Sequence, residues 1–128
     1  MPSHSNVKGI GIDIVEISRI EKALNRRRHF AERLFTPGEI DYCLNRNCPA
    51  KHFAVRFAAK EAVAKALGTG FRGGVSWREI EVLRDGYGRP MVELSGQTAK
   101  VAALKGHDLI LLSVSFDRER AIAVAISA

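Results

Sequence analysis

The stretch from Phe53 to Gly70, FAVRFAAKEAVAKALGTG, constrains the fold more than any other part of this sequence. Its alanines and spaced phenylalanines predict a helix that is apolar around most of its circumference, so the helix must lie in a core. At about 3.6 residues per turn, its central charges fall into two stripes: Arg56 with Lys60, and Glu61 with Lys65. Buried charges destabilise a fold unless they are paired or bind an ion. Each stripe therefore needs partners from elsewhere in the chain or from a ligand.

The stripe of Glu61 and Lys65 has two interpretations. The two residues stand four positions apart, so they can form an ordinary ion pair on the helix surface, worth about 0.5 kcal/mol. Alternatively, they bind a ligand. Leu67 followed by Gly68 predicts the end of the helix, because glycine adopts the left-handed conformation of a C-cap at little cost.

Composition and charge limit the class of protein. The 128 residues, 46% of them hydrophobic, predict one globular domain over residues 1–128. A net charge of +6 implies an anionic partner, which is nucleic acid, a membrane surface, a phosphorylated metabolite or an acidic protein. Two cysteines are too few for a disulfide framework, and no apolar N-terminal run resembles a signal peptide, so we expect a cytoplasmic protein. No segment approaches the roughly 18 consecutive apolar residues of a membrane span.

The N-terminal part predicts a strand that follows a polar end. Residues 1–6 are polar, and we expect them to be frayed. From Val7 onward, isoleucines alternate onto one face, and the other face carries Gly9, Gly11 and Asp13. The two glycines predict space beside Asp13, in which something can approach its carboxylate. The alternative is an aspartate that caps a helix or a turn at the end of the strand.

The segment from Ile17 to Arg28 shows the periodicity of an amphipathic helix. Its apolar face carries Ile17, Ile20 and Leu24, and the opposite face carries Arg19, Lys22 and Arg26. A solvated basic face is the usual explanation of such a pattern. The alternative is a docking surface for an acidic partner.

The remaining segments predict an α+β fold, with an antiparallel sheet packed on the long central helix. Thr36-Pro37-Gly38-Glu39 is typical of a capping box that starts a short helix. Ser95 is placed to cap a helix over residues 98–105. Strands are predicted over four segments: 77–84, 91–94, 109–116 and 121–126.

The candidate chemistry rests on carboxylates and cationic side chains. Asp13 and Glu61 are hard oxygen ligands, and two carboxylates together with substrate phosphates are a usual way to hold Mg²⁺. Lys60, Lys65 and Arg56 can neutralise phosphate charge nearby. This combination indicates phosphoryl chemistry on a phosphate-bearing substrate. The competing class is a basic RNA-binding module without enzyme activity, but the aromatic residues are few and scattered, and no stacking motif is present.

Three long motifs resemble a known family. They are GIGIDIVEISRI over 9–20, FAERLFTPGEID over 30–41, and above all FAVRFAAKEAVAKALGTG over 53–70. The chain resembles, from about residue 7 to 126, the holo-acyl-carrier-protein synthases, the short bacterial type of 4'-phosphopantetheinyl transferase. The resemblance implies an α+β protein that forms a homotrimer, with coenzyme A and Mg²⁺ held in clefts between neighbouring subunits. It also implies acyl carrier protein as a partner, with neither nucleic acid nor a membrane.

The resemblance implies roles for individual residues. Asp13 and Glu61 match the metal ligands, and Lys65 matches a lysine that stabilises the pyrophosphate. Arg56 and the turn Gly68-Thr69-Gly70 match positions near the phosphates of coenzyme A. Arg19 and Arg26 match arginines that meet the acidic carrier protein, and Lys22 shares their face of the helix.

The implied reaction is attack by a carrier serine hydroxyl on the β-phosphate of coenzyme A, with release of 3',5'-ADP. The base that accepts the serine proton is Glu61, or a metal-bound water oriented by Asp41 or Glu39. Many members carry a histidine at the position of Leu112, and some members carry one near Phe116. Roles of those imidazoles in substrate contact or proton transfer therefore do not carry over to this chain. A related transferase that modifies the carrier domain of another pathway fits the same residues.

Overall fold

The computed structural model describes residues 6–128. The expectation that residues 1–6 are frayed therefore falls, except for Asn6, outside the described part. The elements of that part, in chain order, are β1 (Gly9–Glu16), α1 (Ile17–Arg26), α2 (Phe30–Leu34), α3 (Pro37–Leu44), α4 (Pro49–Ala66), a 3-10 turn (Trp77–Glu79), β2 (Ile80–Arg84), β3 (Pro90–Leu94), α5 (Gly96–Leu104), β4 (Ile110–Phe116) and β5 (Arg120–Ser127).

The strands form two antiparallel sheets. The first has the order β1-β5-β4, and the second is the hairpin of β2 and β3. In the first sheet Asp13 of β1 stands opposite Ala123 of β5. The predicted α+β class with antiparallel sheets is confirmed.

Helix α4 packs against β1, β5, β4 and β2 and supplies much of the core. It begins at Pro49, four residues before the predicted start. Proline suits the first helical position, because the N–H group that it lacks would have no hydrogen-bond partner there. Its last residue is Ala66, and Gly68 follows in the left-handed conformation with φ of 81°, as predicted.

The glycine face of β1 lies directly on α4. A Cβ atom at Gly9 would overlap the carbonyl oxygen of Ala66, and one at Gly11 would overlap that of Ala62. The space that the sequence predicts on this face is thus filled by the helix backbone. The opposite face of β1 exposes Ile12, at 57% of its surface, together with Ile10 and Ile14.

The predicted cap of α5 is wrong in its detail. Ser95 stands at the N-cap position, but its side chain makes no capping hydrogen bond. The carboxylate of Glu79 accepts hydrogen bonds from the backbone N–H groups of Gln97 (3.3 Å) and Thr98 (3.0 Å) instead. Because Glu79 satisfies these helix donors from the 3-10 turn that precedes β2, the serine is not needed.

Within residues 6–128, no helix is both long and apolar enough to cross a lipid bilayer.

Candidate active site between strand β1 and helix α4

Asp13 and Glu61 meet where β1 crosses α4. The Asp13 side chain is 18% exposed, and Glu61 is half-buried on the helix. Burial raises the pKa of the Glu61 carboxyl, and the charge of Asp13 raises it further, while Lys65 opposes both effects. The two carboxylates are therefore close enough to repel each other, and Lys65 is the cation that acts on both of them.

Lys65 lies beside this carboxylate pair. Its ammonium donates hydrogen bonds to the Asp13 carboxylate (3.2 Å) and to the carbonyl oxygen of Ile12 (3.0 Å). Half of the lysine side chain is exposed. The ion pair of Lys65 is formed with Asp13 on the strand, rather than with Glu61 four residues earlier. The interpretation of Glu61 and Lys65 as a simple helix-surface pair is therefore not what the structure shows.

The residues present fit a Mg²⁺ ion that is shared with a substrate. No cluster of three or more His, Cys, Asp or Glu side chains suitable for a metal occurs in the described part of the chain. Two carboxylates that interact with each other remain, at Asp13 and Glu61. Mg²⁺ commonly takes one or two carboxylates and completes its shell with waters and substrate phosphates. The arrangement suits a metal that binds together with a phosphate ligand.

The prediction that Lys60 neutralises substrate phosphate is wrong. Lys60 is fully buried, and its ammonium donates to Glu39 Oε1 (2.7 Å) and to the carbonyl oxygens of Leu34 (2.9 Å) and Trp77 (2.9 Å). Burial lowers the pKa of Lys60, and the charge of Glu39 opposes that shift. With all three protons donated inside the protein, this ammonium has none left for a ligand.

The candidate role of Glu39 in orienting a metal-bound water is also wrong, because its carboxylate is buried and accepts hydrogen bonds inside the protein. Glu39 is 2% exposed, and besides Lys60 it accepts hydrogen bonds from the backbone N–H groups of Thr36 (2.9 Å) and Val82 (3.0 Å). The predicted capping box is present, since Thr36 accepts from the N–H of Glu39. Glu39 thus joins α3, α4 and β2 in the interior.

Arg56 and Arg46 form a second cationic cluster around the ring of Tyr42. Of these two arginines, the sequence analysis named only Arg56 as a site residue. Arg56 is 2% exposed, its guanidinium lies 4.2 Å from the ring centre of Tyr42, and its Nε has no hydrogen-bond partner within residues 6–128. Arg46 lies at 4.2 Å from the same ring centre. Burial lowers the pKa of His52 nearby, and the charge of Arg56 lowers it further. The four-residue spacing of Tyr42, on α3, and Arg46, just past the end of that helix, was the signal available in the sequence.

The remaining predicted residues lie at the surface. The turn of Gly68, Thr69 and Gly70 follows α4, and positive φ angles of 81° and 57° at its glycines turn the chain away from the helix. Asp41 is exposed on α3, where its carboxylate accepts from the Asn45 side chain (3.2 Å). The charges that act on the pKa of Glu61 are those of Asp13 and Lys65, and the charge of Asp41 is not among them, so the structure does not bring Asp41 into the carboxylate pair.

The basic face of α1 is exposed as predicted. Arg19, Lys22 and Arg26 all face solvent, whereas Ile20 on the opposite side is buried. At the end of this helix, a groove of about 320 Å³ has an apolar floor and basic walls. Its lining residues are Arg27, Arg28, Phe30, Arg33, Leu34, Phe57 and Trp77. Sequence reasoning missed this groove, because its aromatic floor comes from three separate segments of the chain.

Comparison with known proteins agrees with this fold and shows the family of the chain. The sequence profile of the 4'-phosphopantetheinyl transferase superfamily matches residues 9–125, so the chain belongs to this superfamily and is an enzyme. A holo-acyl-carrier-protein synthase from Geotalea daltonii is 44% identical over 121 residues, which are 94% of this chain and 97% of the relative.

Solved structures of relatives have the same fold as this chain. The crystal structure of a holo-acyl-carrier-protein synthase from Neisseria meningitidis matches with a TM-score of 0.88 at 36% identity, over 95% of this chain and 98% of that one. The enzyme from Helicobacter pylori, solved in complex with coenzyme A, matches with a TM-score of 0.82 at 34% identity, over 93% and 99% of the two chains.

Proposed function

We propose that this protein transfers the 4'-phosphopantetheine group of coenzyme A to a serine of an apo acyl carrier protein, in a Mg²⁺-dependent reaction that releases 3',5'-ADP. The observation that carries the proposal is the junction of Asp13, Glu61 and Lys65 between β1 and α4. The relatives named as holo-acyl-carrier-protein synthases support it, as does the coenzyme A bound to the Helicobacter pylori enzyme.

The reaction replaces a phosphoanhydride bond of coenzyme A by a phosphoester bond to the carrier serine. The serine oxygen attacks the β-phosphorus of coenzyme A, the bond from that phosphorus to the bridging oxygen breaks, and 3',5'-ADP leaves with the bond's electron pair. Asp13 and Glu61 are the residues that would hold Mg²⁺, which when bound supplies positive charge against the pyrophosphate. Lys65 adds an ammonium where negative charge develops on the leaving phosphate. Glu61 is the candidate for accepting the serine proton. The alternative base, a water that Asp41 orients, stays a prediction.

Cationic groups beyond this junction suit the rest of coenzyme A. The unpaired Nε of buried Arg56 is a hydrogen-bond donor that an anionic phosphate can satisfy. The turn of Gly68, Thr69 and Gly70 leaves open space at both of its glycines, where a substrate can approach the backbone closely. These residues are proposed to contact the phosphates of the substrate.

The basic face of α1 is proposed to receive the carrier protein. Arg19, Lys22 and Arg26 present positive charge to solvent, and the groove lined by Phe30 and Trp77 offers apolar contact at the end of the same helix. An acidic protein with a small apolar anchor would match both features.

Assembly into a homotrimer is part of the same proposal. The outer face of β1 leaves Ile10, Ile12 and Ile14 more than half exposed, and Leu111 of β4 is 55% exposed in the same sheet. A contiguous apolar sheet face of this kind is unfavourable in water and suits a subunit interface. Residues of one subunit would then complete the site of its neighbour.

A cytoplasmic location completes the proposal. Both cysteines are free thiols, Cys43 buried and Cys48 exposed, as suits a reducing compartment.

The test is the intact mass of a purified apo acyl carrier protein after incubation with this protein, Mg²⁺ and coenzyme A. We expect a gain of one phosphopantetheine on the carrier serine, and no gain when Mg²⁺ is chelated. An unchanged carrier mass under turnover conditions would overturn the proposal. Apo carrier domains from other pathways, tested in parallel, decide between the acyl carrier protein and another carrier as the preferred substrate.

A further inference from the structure

Lys65 occupies one of the two carboxylates proposed to hold the metal. Its ammonium hydrogen-bonds to Asp13 Oδ1 at 3.2 Å and to the carbonyl oxygen of Ile12 at 3.0 Å. Lys65 uses one acceptor site of a carboxylate that has about four, so a divalent cation that binds Asp13 would share the charge of this carboxylate with the ammonium. The two positive groups would repel each other across this carboxylate, so each weakens the binding of the other.

The surroundings of Lys65 allow it to leave. Half of its side chain is exposed, and it lies at the C-terminal end of α4, three residues before Gly68. Lys60 on the same helix provides the contrast, because its ammonium is fully buried among three acceptors. Only one of these two helix lysines therefore has the freedom to exchange a protein acceptor for a ligand.

We propose that Lys65 is a built-in competitor of the metal: in the substrate-free protein it neutralises Asp13, and it moves to a substrate phosphate when a divalent cation takes its place. This inference rests on the proposed function, since it assigns the metal to Asp13 and Glu61. Binding of the metal and binding of a phosphate ligand then become mutually dependent, because each favours the position of Lys65 that the other requires. The substrate-free protein binds a divalent cation weakly, and coenzyme A strengthens that binding.

The competition predicts that removing a cationic catalytic side chain tightens metal binding. Mn²⁺, used as a paramagnetic substitute for Mg²⁺, is titrated into the full-length protein, and free Mn²⁺ is measured by electron paramagnetic resonance. In the absence of coenzyme A, Lys65→Met should bind Mn²⁺ more tightly than wild type by about fivefold or more. Saturating coenzyme A should tighten Mn²⁺ binding to wild type by about the same factor or more, and this enhancement should be smaller in Lys65→Met.

Two variants make the comparison specific. Lys51→Met removes the same charge from the same helix, 14 positions away or about 21 Å along the axis, and should change Mn²⁺ affinity less than about twofold. Asp13→Asn should abolish the tight site. Lys65→Gln repeats the measurement with a polar side chain, so that a folding defect peculiar to methionine does not decide the result, and circular dichroism checks each variant.

The outcomes separate this inference from the proposed function. Equal or weaker Mn²⁺ binding in folded Lys65→Met and Lys65→Gln overturns the competition, even if the wild-type protein modifies its carrier. Tight Mn²⁺ binding that survives in Asp13→Asn overturns it as well, because the metal then lies elsewhere. Tighter binding in both Lys65 variants supports it, whether or not carrier modification is detected.

Discussion

The buried pair of Glu39 and Lys60 predicts an unusually large loss of stability from a single substitution. Both side chains are fully shielded from solvent, and their charged atoms are 2.7 Å apart. Lys60→Met leaves the Glu39 carboxylate buried without its cation, and it leaves the carbonyl oxygens of Leu34 and Trp77 without their donor. Removing one partner of a buried ion pair costs about 3–5 kcal/mol. The total stability of a domain is only about 5–15 kcal/mol.

Urea unfolding measures this loss directly. The chain has one tryptophan, Trp77, and its ring stacks on Phe71 at 3.9 Å, so its fluorescence should report loss of the core around the pair. Lys100→Met, on an exposed position of α5, is the matched control and should change the free energy of unfolding by less than about 0.5 kcal/mol. A decrease of less than about 1 kcal/mol in the free energy of unfolding of Lys60→Met would refute the reasoning, because burying a carboxylate without its cation destabilises the fold by more than that.

The partner substitution adds a pH dependence of known sign. In Glu39→Gln, Lys60 loses the charge that opposes its desolvation, so the pKa of Lys60 in the folded state falls further below its usual value. The unfolded chain then binds this proton more strongly than the folded chain does. The free energy of unfolding of Glu39→Gln should therefore rise with pH, up to the usual lysine pKa of about 10.4. The double variant should cost less than the sum of the single ones, since they remove one shared interaction.

Three further variants test the proposed function. Glu61→Gln should abolish turnover while leaving the circular dichroism spectrum unchanged, and retained activity would contradict the assignment of Glu61 as a metal ligand. Reversing Arg19 and Arg26 to Glu should lower kcat/KM for the carrier by about tenfold at low salt, with a smaller defect at high salt; an equal loss toward coenzyme A would exclude α1 as the docking surface. Ile12→Asp should yield monomers in light scattering, and an intact oligomer would show that subunits meet elsewhere.

Periodicity explains what the sequence predicted well. The spacing of alanines and phenylalanines identified α4, and the glycine at position 68 marked its end, because both signals are local and nearly independent of the rest of the chain. The capping box of Thr36 and Glu39 was equally local. Alternation along β1 placed Asp13 on the same face as its two glycines, and that placement brought it to α4.

The errors concern partners that lie far away in the chain. Lys60 shares a stripe with Arg56, yet two of its three acceptors are the backbone carbonyl groups of Leu34 and Trp77. Every residue has such a carbonyl group, so the sequence does not indicate which ones accept. Glu39 likewise pairs across 21 positions and caps its own helix with the same carboxylate. Alternation along β1 also could not say which face meets the core. The glycine face does so, because it allows the strand backbone to touch the helix.

The contact of Gly9 and Gly11 with α4 has a consequence for the choice of cation. Since the strand lies against the helix carbonyls without intervening side chains, the backbones that carry Asp13 and Glu61 cannot come closer together. Mg²⁺ demands ligand oxygens at about 2.0–2.1 Å in near-octahedral order, whereas Ca²⁺ takes six to eight oxygens at about 2.3–2.6 Å. At the proposed metal site this contact sets the smallest distance between strand and helix, so we expect a change in ligand length, such as Asp13→Glu, to alter which ion size fits.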